Sequence, residues 1–264
     1  MAGLSITDAW NETVAFMGRE GRLVLPVGFM LIALPGAIIQ VATPATRPNE
    51  LPEPGLWLAF VPFAIALTLI GNLAISVLAL KPGTSVGEAI QQGVRRFLPV
   101  LGAVLLIGLA SMLAMAPVVL LAAGAAVALG NPALAVVPVL FVIPLLIFLW
   151  TRLLLANPIG AVEPGGPVAI LKRSWALTTG GFWRLLGFLI LLLIVGLVAS
   201  GAVGAVGGTL IALAFGPIRP DSLSFYLTLI LSTLVQAGLA SIFAVMVARI
   251  YAQLVPPDPG RVFT

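Results

Sequence analysis

The chain has no cysteine and no histidine among its 264 residues, and only 8% of them are charged. The first absence removes disulfides, thiolate and imidazole metal sites, the usual axial ligands of haem, and nucleophilic catalysis built on either side chain. No metal and no cofactor is therefore expected. The shortage of charge leaves too little polar surface to cover a soluble globule of this length, since 61% of the residues are hydrophobic and the mean hydropathy is +1.19. A single membrane domain over 1–264 is the reading.

Charge is missing most completely from five stretches, at 23–46, 54–80, 97–151, 185–218 and 222–248. Each is long enough to cross a hydrocarbon core of about 30 Å, which takes roughly 20 helical residues. The stretch 97–151 is long enough to cross twice. Near its middle Gly130-Asn131-Pro132 supplies turn chemistry that reverses a chain at a membrane surface. Six transmembrane helices follow.

With the N-terminus placed in the cytoplasm, Arg19, Arg22, Lys81, Arg95, Arg96, Arg152, Lys172, Arg173, Arg184, Arg249 and Arg261 all fall on the inner side. Only Arg47 and Arg219 fall outside. Short loops with so strong a bias follow the positive-inside rule, so both termini are expected in the cytoplasm. The same rule accounts for the net charge of +4. Nucleic acid is not an expected partner, because no basic stripe with stacking aromatics accompanies these charges.

A repeat of about 80 residues organises the spans. Ile6, Ala9, Trp10, Val14 and Met17 have counterparts in Val86, Ala89, Ile90, Val94 and Phe97, an apolar stripe at helical spacing. Both segments open on a capping signal, Ser5 with Asp8 and Ser85 with Glu88. A third copy starts at Pro167, a residue suited to a first helical turn, with Val168, Leu171 and Trp175 in a shifted phase. The fold expected is an all-α polytopic bundle of three units, about 5–80, 84–156 and 166–254. Each would join an interfacial helix to a transmembrane hairpin.

Three residue sets are candidates for function. Arg95, Arg96, Lys172, Arg173 and Arg184 flank the amphipathic segments, where long basic side chains reach anionic phospholipid headgroups while their stems cover apolar surface. Gly196, Ser200, Gly204 and Gly208 recur every four residues in the fifth span and make a face for close helix packing. The sixth span offers Ala237, Ala240, Ser241, Ala244 and Ala248 in reply. Whether the partner face belongs to the same chain, a second copy or a larger complex is open. Asn72 and Gln236 are polar at membrane depth, suited to hydrogen bonds between helices or to a polar path beside proline-kinked spans. No acid or base is placed deep in a span, which argues against an enzyme.

The segment from Arg152 to Gly187 carries a resemblance. Arg152 at a span end leads through Pro158 and Glu163 to Ala169, Arg173, Ser174, Trp175, Leu177, Thr178, Gly180, Trp183 and Arg184. This resembles the bacterial membrane-domain family named after glycerophosphoryl diester phosphodiesterase. The resemblance implies a bacterial inner-membrane protein without the soluble catalytic domain fused to some members. A scaffold, accessory subunit or lipid-environment modulator is expected, with a transporter or lipid-translocating protein as the alternative.

Overall fold

The computed structural model describes residues 5–44, 53–131, 137–220 and 222–255, and among these it is built from helices and turns without strands. Arg47, Pro132 and Arg261, used in the sequence reading, lie outside the described residues. The helices are α1 (Ile6–Ala42), α2 (Trp57–Leu80), α3 (Val86–Ala128), α4 (Val137–Leu153), α5 (Ala156–Val162), α6 (Pro167–Thr179), α7 (Phe182–Phe215) and α8 (Leu223–Leu254). Six are long and apolar enough to cross a membrane when α4 and α5 count as one span. The architecture is an all-α membrane bundle.

The starts of the amphipathic segments are fixed as their residues suggest. Ser5 Oγ accepts from the Asp8 amide, and Ser85 forms a complete reciprocal cap with Glu88. The reversal after α3 is equally local. Gly130 adopts φ +61°, while the Gly130 and Asn131 amides donate back to Val127 and Ala126, which closes the helix in a Schellman turn.

One expectation changes. The first two amphipathic segments are not separate interfacial helices, because each runs without a break into its span. α3 alone has 43 residues, roughly 65 Å at 1.5 Å per residue and about twice a hydrocarbon core. No glycine pair interrupts it, and Pro99 sits within the helix at the loss of one hydrogen bond. Only the third unit breaks, where Gly180 and Gly181 separate α6 from α7.

The inward faces also shift by one position from the expected stripe. Ala9, Thr13 and Phe16 are buried, whereas Trp10 and Val14 are 45% and 53% exposed. The second unit buries Ala89 and Gly93, and the third buries Ile170, Ser174 and Thr178. Ala9 and Ala89 lie on the expected stripe, but Thr13, Gly93 and Ser174 escape a stripe drawn through apolar residues. With them, the three units fall into one phase: Ala9, Ala89 and Ile170, then Thr13, Gly93 and Ser174.

The core lies at one end of the bundle. Every residue from Leu73 to Ala79 in α2 and from Ala244 to Ala248 in α8 is buried, so these helices are enclosed all round there. Arg19, Lys81, Arg152, Arg173 and Arg249 surround this region, which defines a basic end. Arg219 stands at the opposite end, in the α7 to α8 connection. α1 and α8 cross tightly where a π-helical segment, Gly28–Ala33, interrupts α1 just after Pro26. A Cβ on Gly28 would overlap Ser241 Oγ and lie 3.2 Å from the Ala237 carbonyl. Away from the basic end, α3 and α7 present long exposed rows such as Leu105, Leu109, Met112, Leu193, Leu197 and Leu213.

Candidate functional site

At the basic end, the segment from Arg152 to Arg184 folds into a polar knot. α4 stops at Leu153 and α5 starts at Ala156, so carbonyls of the last α4 turn lose their helical donors. One hydroxyl replaces a donor: Ser174 Oγ donates to the Arg152 carbonyl at 2.8 Å, while Thr178 Oγ1 lies 3.3 Å from the same carbonyl and has its shorter contact, 2.9 Å, to the Ser174 carbonyl. The Arg152 guanidinium lies 5.0–5.4 Å from the ring centres of Phe148, Trp175 and Phe182, and its Nη1 donates to Thr179 Oγ1 at 3.1 Å. Desolvated contacts of this kind stabilise by roughly 1–2 kcal/mol.

Glu163 follows α5 and joins two further helices. Its Oε1 accepts from Tyr251 at 2.7 Å and from Arg173 Nε at 3.3 Å, which links the α5 end to α8 and α6. Its ion-pair partner is Arg173 of α6, not Arg152 or Arg249 at the span ends. Tyr251 went unread, although a tyrosine in an apolar run needs a partner for its hydroxyl and Glu163 was the acid at hand. On the other side Gln92 of α3 donates to the Ala161 carbonyl and accepts from Lys81. The residues behind the family resemblance thus form a joint between helices.

The candidate lipid set divides. Arg95 and Lys172 are exposed and Arg96 is half-buried, and none of the three has a hydrogen bond or ion pair among the described residues. Arg184 is exposed as well. Arg173 is engaged with Glu163 through its Nε. Lys172 borders an apolar groove of about 380 Å3 lined by Leu106, Ile107, Leu149, Leu153 and Trp175. The groove thus combines apolar walls with one exposed cation.

The packing face of the fifth span is not filled by another helix among the described residues. Gly196 and Gly204 have no atom of another helix within reach of an added Cβ, and Ser200 is exposed. Gly208 is buried, beside Ile218 of the following loop. The close helix contact comes instead from Gly207, off the stripe, against Leu231. The small face of α8 is spoken for elsewhere, since Ala237 and Ser241 meet Gly28 of α1.

Asn72 does not bridge helices. Its Nδ2 donates to Thr68 within α2, and its carbonyl accepts from Ser76. Gln236 lines a cavity of about 250 Å3 between α1, α7 and α8, together with Gln40, Ser200, Thr228 and Ser232. These are amides and hydroxyls without charge. Gln40 was missed because it lies near the end of its apolar stretch, where polarity carries little information.

Fold and site define a multi-pass, all-α membrane protein whose polar order is concentrated at one end. The chain belongs to the family described as Domain of unknown function (DUF7847), which matches residues 4–254. No match was found among curated proteins or among solved structures.

Proposed function

We propose that the protein is a non-catalytic, multi-pass component of a bacterial inner membrane that engages anionic phospholipid through its basic end. In this role it serves as a scaffold, an accessory subunit or a modulator of its lipid surroundings. The observation that carries the reading is the pairing of outward apolar residues with unbonded cations on the same helical segments: Val94 and Leu98 beside Arg95, Val168 and Trp175 beside Lys172. Apolar side chains at the headgroup boundary with basic tips reaching phosphate is the arrangement of membrane-surface helices. Kinship with the membrane domain named after glycerophosphoryl diester phosphodiesterase is part of the proposal, supported by the residues from Arg152 to Arg184. A non-enzymatic role is supported by the engagement of Glu163 in the helix joint.

The test is lipid retention. Replacing Arg95, Arg96, Lys172 and Arg173 together with glutamine is expected to lower co-purified anionic phospholipid in native mass spectra by about tenfold or more. Unchanged retention would reduce these charges to topology signals. The cavity at Gln236 and Gln40 favours a second reading, a transporter or lipid-translocating protein. Vectorial lipid movement in reconstituted vesicles that Gln236→Leu abolishes would select it.

Orientation belongs to the same proposal. Both termini are placed in the cytoplasm, because the basic end would then face inward. Reporter fusions at Thr264 and at Arg219 should report opposite sides, cytoplasmic and periplasmic respectively. A periplasmic signal from Thr264 would invert the assignment.

A further inference from the structure

A separate cavity of about 310 Å3 opens at the basic end between α1, the α2 end and α8. Arg19, Lys81 and Arg249 line it, with Glu20 as the acid among the lining residues. Among the lining residues the balance is two positive charges, and Glu12, one helical turn before Phe16 on α1, offsets one of them through its attraction to Arg249. Lys81 and Arg249 close the uncharged stretches 54–80 and 222–248, and Arg19 lies one helical turn before the start of 23–46. Three cations from three helices therefore stand at the same level, where apolar spans meet the interface. The lower wall is apolar, formed by Leu23, Val24 and Leu78.

Arg249 is held in place before anything binds. Its guanidinium lies 5.0 Å from the Phe16 ring centre, and its Nε is buried without a hydrogen-bond partner. Neither Arg19 nor Arg249 makes an ion pair among the described residues. A buried guanidinium nitrogen without a protein acceptor costs free energy that an anionic acceptor would recover. Glu20, on the same cavity, supplies an acceptor for a hydroxyl or ammonium carried next to that anion.

We propose that this cavity is a binding site for a phosphate-bearing anion at headgroup level, held by Arg249 and Arg19 with Lys81 at the mouth. The inference rests on the lipid-engaging reading above and gives it a defined site, distinct from Arg95, Arg96, Lys172 and Arg173. The phosphate comes from an anionic phospholipid headgroup or from a soluble phosphate, and the two sources are separable. An apolar wall below the cations favours the lipid, whose glycerol and first acyl carbons would lie against Leu23 and Leu78.

The experiment titrates the purified full chain in detergent with short-chain phosphatidylglycerol, short-chain phosphatidylcholine and inorganic phosphate, read by native mass spectra. Arg19→Gln/Lys81→Gln is the variant, because both side chains are exposed and the pair gives up only the exposed Lys81 to Gln92 hydrogen bond, with an unchanged thermal midpoint as the check on folding. Phosphatidylglycerol binding should weaken about thirtyfold, the loss of two contacts of about 1 kcal/mol each. Phosphatidylcholine binding should change less than threefold. Competition by millimolar inorganic phosphate, abolished in the variant, would assign the site to a soluble anion instead of lipid. Equal phosphatidylglycerol and phosphate binding by variant and parent overturns the site. The quadruple glutamine variant separates the two proposals: if it loses lipid while Arg19→Gln/Lys81→Gln does not, the site fails alone. If neither loses lipid, both fail.

Discussion

Gly28→Ala is expected to lower stability, although the same change within a helix ordinarily gains up to about 1 kcal/mol. The sign reverses because the added methyl would enter Ser241 Oγ and press on the Ala237 carbonyl, which is backbone and moves little. Gly28→Leu should cost about 3 kcal/mol, the upper end of overpacking losses. Thermal-shift midpoints in detergent give the comparison. Ser241→Ala by itself should be neutral or mildly stabilising, since the Ser241 hydroxyl is buried without a partner. Joined to Gly28→Ala it should recover part of the loss, a non-additivity that identifies direct contact. A stabilised Gly28→Ala protein would mean that α1 and α8 do not cross here.

Gly204→Leu is the control. A four-residue spacing of small residues marks the Gly204 face for packing, yet within one chain the space around Gly204 is open. The leucine should leave the monomer's midpoint unchanged. A loss of stability together with a change in oligomeric state would show that a second copy fills the face.

The contrast explains what the sequence could convey. Spans, caps and the reversal at Gly130 are written locally, in runs of uncharged residues and in side chains that reach backbone three or four positions away. Those features were legible. Which small-residue face meets which helix is decided by long-range geometry, so Gly28 carried no more signal than Gly196 or Gly204. The amphipathic segments hid their inward faces for a related reason. Each has apolar residues on two sides: Trp10, Val14 and Trp175 turn outward, while Phe16 and Ile170 turn inward beside small residues. Burial favoured the small residues because helices pack closely only where side chains are small. The polar knot was half legible: Arg152, Glu163, Arg173 and Ser174 could be singled out by their pattern, but Tyr251 is 88 residues from Glu163.

That long-range bond should dominate the joint, and magnitudes decide between the two partners of Glu163. The Arg173 and Glu163 side chains are 43% and 28% exposed, so their single 3.3 Å contact is screened and contributes at most about 1 kcal/mol. Tyr251 is 6% exposed and donates at 2.7 Å to a carboxylate, a charge-assisted bond of roughly 1.5–3 kcal/mol. Tyr251→Phe should therefore destabilise more than Arg173→Gln. Glu163→Leu should cost about 3 kcal/mol, because it removes the acceptor and leaves the Tyr251 hydroxyl buried and unpaired. In the Glu163→Leu background, Tyr251→Phe should cost nothing further and should restore some stability by deleting that stranded donor. The coupling between the two positions, read from midpoints of the four proteins in the cycle, is expected at about 1.5 kcal/mol or more. Additive losses would place Tyr251 and Glu163 out of contact and leave Gln92 as the polar tie between α5 and the bundle.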